Sequence, residues 1–132
     1  MMQPTPTLNP RLVVDRGHDA LAFYQAAFDA EVLSLHEEAG RIVNADLKIG
    51  TDEYAAAFSV TEEDGTLNVS PASLQGTPVL LSLETADPDT TASAFVAAGG
   101  EILIDIDDRP YGRRDGRLRD PFGHLWIPGR WL

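Results

Sequence analysis

The sequence predicts an α+β fold made of two βαβββ modules in tandem, and three observations carry that prediction. Read for hydrophobic period, the chain runs strand, helix, strand, strand, strand, and then runs through that order again. A shift of about 70 positions superposes Asp19 on Asp89, Ala22 on Ala92, Ala27 on Ala97, Glu31 on Glu101 and Leu33 on Leu103, as a duplicated unit would. The chain then closes on a hairpin whose connection is Asp120-Pro121-Phe122-Gly123. There aspartate can bond its own backbone, proline sets φ, and glycine accepts positive φ. Two half-sheets of this kind can curve around one concavity, which is the expected ligand site.

Each element has its own warrant. Leu12-Val13-Val14 is a short β-branched strand. Between His18 and Asp29, the residues Leu21, Phe23, Tyr24, Ala27 and Phe28 recur at three- and four-residue spacing and give a helix one apolar face. Glu31 to Leu35 alternates as a strand, and Glu38-Ala39-Gly40 turns the chain. Ile42 to Ile49 alternates more clearly, with Asn44, Asp46 and Lys48 on one face. Gly50-Thr51-Asp52 is a turn into the strand Tyr54 to Val60. The polar stretch 61–78 reads as a linker, broken by Asp64-Gly65, Ser70-Pro71 and Gln75-Gly76. Val79 to Glu84 is a fifth strand. Asp87-Pro88 caps a helix with Ala92, Phe95 and Val96 on its apolar face, and Gly99-Gly100 stops it. Ile102-Leu103-Ile104 precedes the terminal hairpin, with Asp105 to Asp108 as a bend of exposed carboxylates.

Composition bounds the function. The apolar share of 43% is ordinary for one domain spanning residues 1–132, with module 1 at about 8–60 and module 2 at about 79–132. A net charge of −11 disfavours a nucleic-acid backbone or an anionic membrane and favours a cationic or neutral small molecule. The absence of cysteine removes disulfides, thiolate metal sites and cysteine nucleophiles. Met1 to Thr7 shows no basic start or apolar core of a leader, and no run approaches the ~18 apolar residues of a membrane span. The expected location is the cytoplasm.

Three stretches carry a family resemblance: Leu21 to Glu31, Gly40 to Gly50, and Tyr111-Gly112-Arg113 through Asp120-Pro121-Phe122-Gly123-His124-Leu125-Trp126. Ser70 to Leu74 extends it. Together they resemble the vicinal oxygen chelate superfamily of glyoxalase I and the bleomycin resistance proteins, in the branch called PhnB-like. That resemblance implies a curved, cup-shaped mixed sheet with helices on its convex face. Asp29 departs from the branch, which usually carries glycine there, and so does the aromatic end Ile127 to Leu132. The superfamily's enzymes hold a divalent metal with His, Gln and Glu side chains. The corresponding positions here are Pro10, Ala57, Leu80 and Ile127, none of which is a donor. The resemblance therefore implies a site with no metal and no cofactor, and a homodimer.

The remaining candidates divide by strand parity. With Ile127 in the cup, His124 and Trp126 point to the helices. Ala55, Ala57, Ser59, Leu80 and Ser82 make a small-walled cup that admits a bulky guest, with Asn44 and Asp46 on the neighbouring strand. Tyr111 and Trp131 offer aromatic planes, and Arg113 a contact to an anionic or aromatic group. Arg113, Arg114, Arg117 and Arg119 otherwise read as salt-bridge partners of an acidic surface. Glu37-Glu38 and Glu62-Glu63-Asp64 read as solvated loop charges, and no catalytic set is evident. The expectation is a protein that sequesters a small organic molecule, such as a flat heteroaromatic natural product or antibiotic. The alternative is a metal-dependent lyase, isomerase or dioxygenase with His36, Asp46 and Glu84 as donors.

Overall fold

A computed structural model describes residues 5–50 and 55–132. The first module runs β1 (Arg11–Val14), α1 (Gly17–Phe28), β2 (Glu31–Glu38), β3 (Arg41–Ile49) and β4 (Ala56–Glu62). After a short helix α2 (Pro71–Leu74), the second runs β5 (Leu80–Glu84), α3 (Pro88–Ala97), β6 (Glu101–Asp108), β7 (Arg113–Arg119) and β8 (Leu125–Trp131). The two modules make separate four-stranded sheets with the same plan, β1-β4-β3-β2 and β5-β8-β7-β6. In each, the first strand pairs parallel to the last and the other pairings are antiparallel. The duplication inferred from sequence is thus repeated in topology. Met1 to Pro4, and Thr51, Asp52 and Tyr54 of the predicted turn and strand, lie outside the described residues.

One apolar core runs through both modules. The face of α1 that carries Leu21, Phe23, Tyr24, Ala27 and Phe28 is buried, as its spacing requires. Phe23 meets Phe95 of α3 edge-on at 5.0 Å, and Phe28 lies 4.7 Å from Trp126 of β8. Each such ring stabilises by about 1.5–3 kcal/mol through burial, and the edge-on Phe23–Phe95 pair adds a contribution from its geometry. The helix ends at Asp29, which takes up the left-handed conformation (φ 54°) that glycine would adopt without a steric penalty.

Several polar stretches are more ordered than the sequence suggested. Arg16 gives α1 no side-chain cap; Glu62 of β4 instead accepts a 3.0 Å hydrogen bond from the Gly17 amide. A Cβ on residue 17 would fall 2.4 Å from that carboxylate oxygen, so a larger residue would push the Glu62 side chain off the amide. Glu63 accepts from the Ser70 amide and the Ser73 hydroxyl, and Asp64 from the amides of Thr66 and Asn68. These bonds hold both carboxyls below the ordinary carboxylate range. Glu62, Glu63 and Asp64 are therefore not free loop charges, and the predicted linker contains α2, capped by Ser70. Asp105 to Asp108 likewise continue β6 rather than forming a bend, and Glu37-Glu38 lie in β2.

The Asp120-Pro121-Phe122-Gly123 turn forms as predicted, with Gly123 at φ 93°. Asp120 Oδ1 accepts from the amides of Phe122 and His124, while Oδ2 accepts from Tyr24 and from the Trp126 indole. Trp126 is in the core, as strand parity predicted. His124 is half-buried, with Nε2 2.8 Å from the Val13 carbonyl of the first module.

Candidate ligand-binding site

Cross-strand register assigns the faces. On the first sheet, Asp46 pairs with Ser59 and Lys48 with Ala57, so these lie on the face away from the helices. On the second, Leu80, Ser82, Leu125, Ile127, Gly129 and Trp131 share that face with Arg113 and Asp115. Gly129 is required there: a Cβ would lie 2.8 Å from the Arg113 guanidinium and 2.9 Å from Asp115 Cβ.

An apolar cleft of about 650 Å³ opens between the modules. Its wall combines the β1 approach at Leu8 and Pro10, the start of β4 at Ala55 to Phe58, and β5 from Leu80 to Leu83. The small side chains at the start of β4 leave the volume open, and Pro10, Ala57 and Leu80 converge on it. Ile127 does not. It lines a second cavity of about 250 Å³ on the outer face of the second sheet, with Ile104 and Tyr111 as its other large apolar side chains. Arg109, Asp115 and Arg117 supply the charge. Ser82 of the cleft is the register partner of Ile127, so the two cavities adjoin across the β5–β8 ladder.

The other candidates fall around these cavities. Arg113 is committed to Glu84, which it bonds directly, and its guanidinium lies over the Trp131 ring at 4.6 Å. Trp131 is 66% exposed, so one face of the ring remains open. Tyr111 donates to Asp115 at 3.1 Å, and desolvation followed by that bond raises its hydroxyl above the usual tyrosine range. Asn44 and Asp46 are bonded to each other at 3.1 Å, and Ser34 bonds Asp46 at 2.7 Å. The bonds from Ser34 and then Asn44 hold the Asp46 carboxyl below its ordinary range. Asn44, Asp46 and nearly buried Ser59 form a polar face on the first sheet and line neither cavity.

A divalent metal does not fit the positions that the family resemblance assigns to it. Pro10, Ala57, Leu80 and Ile127 carry no donor atoms in their side chains. Among the described residues, no three or more His, Cys, Asp or Glu side chains are grouped to hold an ion. His36, Asp46 and Glu84 do not come together: His36 pairs with Glu38, Asp46 with Ser34, and Glu84 with Arg113 on the other sheet. Sequence reasoning missed the Asp115 cluster. Its only signal was an arginine-rich hairpin, and it depends on Arg109, which precedes the hairpin, folding back at 3.2 Å.

Comparison with known proteins follows the same lines. Residues 7–127 match the family model of the Glyoxalase/Bleomycin resistance protein/Dioxygenase superfamily. An uncharacterized protein of Mycobacterium bovis is 35% identical over 126 residues, covering 95% of this chain and 83% of that protein. The crystal structure of TioX from Micromonospora sp. ML1 superposes with a TM-score of 0.71 at 25% identity, covering 96% of this chain and all of that one. A bleomycin-binding protein complexed with bleomycin superposes with a TM-score of 0.66 at 16% identity, covering 97% of this chain and 100% of its own. Among the described residues no helix is long and apolar enough to cross a membrane.

Proposed function

Because the chain belongs to the Glyoxalase/Bleomycin resistance protein/Dioxygenase superfamily, we propose that it binds a small organic molecule without a metal, sequestering a flat aromatic natural product or antibiotic. The observation that carries this reading is the apolar cleft at Pro10, Ala57 and Leu80. A volume of about 650 Å³ walled by small and aliphatic side chains, with Phe58 and Trp126, suits a drug-sized guest held by burial. Ala55, Ala57, Leu80 and Ser82 line the cleft, Tyr111 and Ile127 line the second cavity, and the Arg113–Trp131 stack offers an open aromatic face. Asn44, Asp46 and Ser59 are the polar edge that a larger guest would reach. The bleomycin-binding protein of the same fold holds bleomycin, which agrees with a drug as guest.

The reading extends to a cytoplasmic homodimer of the PhnB-like branch. Tyr111-Gly112-Arg113 and the Asp120 to Trp126 segment support the branch. Exposed Leu33 and Leu35 on β2, with Leu103, the repeat counterpart of Leu33, and its neighbours Ile102 and Ile104 on β6, support a second copy covering edge strands. Sedimentation velocity reads this directly.

Titration with planar heteroaromatic compounds, followed by tryptophan emission, tests the binding reading. The expected result is saturable quenching that Trp131→Ala weakens. Quenching that never saturates would reject it.

A further inference from the structure

We propose that Arg117 is the recognition point for a carboxylate on the bound molecule, seated in the cavity on the outer face of the second sheet. The inference rests on the binding function argued above and names the chemistry of one end of the ligand.

The arginines around this cavity are accounted for except one. Arg109 bonds the Asp115 carboxylate at 3.2 Å and its carbonyl at 2.8 Å. Arg113 bonds Glu84 and lies 3.9 Å from Asp115. Arg114 grips Asp89 at 2.7 and 2.8 Å, and Arg119 reaches Glu101 at 2.6 Å. Arg117 forms no ion pair with any described carboxylate, and its Nε is buried with no hydrogen-bond partner. Its register partner on β6 is Ile104, and Ile127 lines the same cavity, so its stem is walled by aliphatic side chains. A desolvated guanidinium N–H without an acceptor is destabilising unless a ligand supplies one.

The charge balance selects the ligand class. Asp115 is already satisfied by Arg109, Arg113 and the Tyr111 hydroxyl, so it does not neutralise Arg117. Asp107 stands opposite Asp115 on β6 and does not line the cavity. The lining therefore holds two arginines and one aspartate, an excess of one positive charge within a protein of net charge −11. At contact distance the lining outweighs the remote surface charges, which are screened over about 8–10 Å. A planar monoanion matches the guanidinium fork, whereas a phosphate dianion would face Asp115 with only one unpaired cation. A cavity of about 250 Å³ holds the carboxylate and a small part of the molecule, with the remainder directed to the adjoining cleft.

The test compares 2-naphthoate with its neutral isostere 2-naphthamide by calorimetry, while NMR follows the arginine Nε–Hε resonances. The acid should bind at least tenfold more tightly than the amide and shift the Arg117 resonance. Arg117→Gln should bring the acid to the amide's affinity, and Arg117→Lys should restore it in part. Equal wild-type affinity for acid and amide would overturn the carboxylate subsite while leaving the binding function intact. Failure of both probes, together with other neutral aromatic compounds, would remove both. Displacement of naphthoate by an equal concentration of inorganic phosphate would overturn the assignment to carboxylates. The wild-type comparison is decisive even if a variant misfolds.

Discussion

The Tyr24 hydroxyl, on the helix of the first module, donates a 2.5 Å hydrogen bond to Oδ2 of Asp120, in the turn of the second. The same oxygen accepts from the Trp126 indole at 3.0 Å, and Tyr24 is fully buried. This one carboxylate thus orders its own turn and ties that turn to the neighbouring module. Tyr24→Phe removes a buried bond to a charged acceptor, and its expected cost is about 1.5–3 kcal/mol. Urea unfolding checks the value; a loss below about 0.5 kcal/mol would contradict it.

The same contact predicts an alkaline limit. Burial first, and then the charge and hydrogen bond of Asp120, raise the Tyr24 hydroxyl well above the usual tyrosine range. The folded state therefore favours the protonated phenol. The stabilisation is complete below the unfolded value of about 10 and is lost as pH rises beyond it. The stability gap between wild type and Tyr24→Phe should narrow above about pH 10, and a gap constant to pH 11.5 would exclude this cause.

At the acid end, Asp87 caps α3 through Thr90, and Asp89 is held by Arg114. The Thr90 bonds depress the first carboxyl and the Arg114 bonds the second. Groups with depressed folded values stabilise above their unfolded value, about 3.9, and lose that contribution as pH falls through the folded one. Asp89→Asn should lower the melting temperature at pH 7 and leave it near wild type at pH 2. An equal deficit at both pH values would contradict this.

Asp29 offers the opposite kind of change. It occupies φ 54° at the end of α1, where a side chain is disfavoured. Asp29→Gly should raise stability by up to about 1 kcal/mol, measured by urea unfolding. Destabilisation instead would mean that the aspartate makes a compensating interaction.

Local pattern made most of the fold legible. Helix periodicity picked out Phe23, Tyr24 and Phe28, the turn residues of Asp120 to Gly123 fixed the last hairpin, and Asp87-Pro88 marked its helix start. What stayed hidden depends on distant partners. Glu62 looked like a loop charge because its role is to cap a helix begun 45 positions earlier. The wall at Ala55, Ala57 and Leu80 could be anticipated from small residues and strand parity. The separation of Ile127 from that wall could not, because it depends on the two sheets remaining distinct. Arg117 looked like its neighbours, since only the fold reveals which arginines already have acceptors.

The binding account stands or falls on the cleft between the modules. The most direct measurement is calorimetric titration of a planar heteroaromatic panel into wild type and Ala57→Trp, with chelator present throughout. The account predicts saturable binding to wild type in chelator and at least a tenfold loss in Ala57→Trp at an unchanged melting temperature. Binding that appears only after a divalent metal is added, or equal affinity in both proteins, would contradict it.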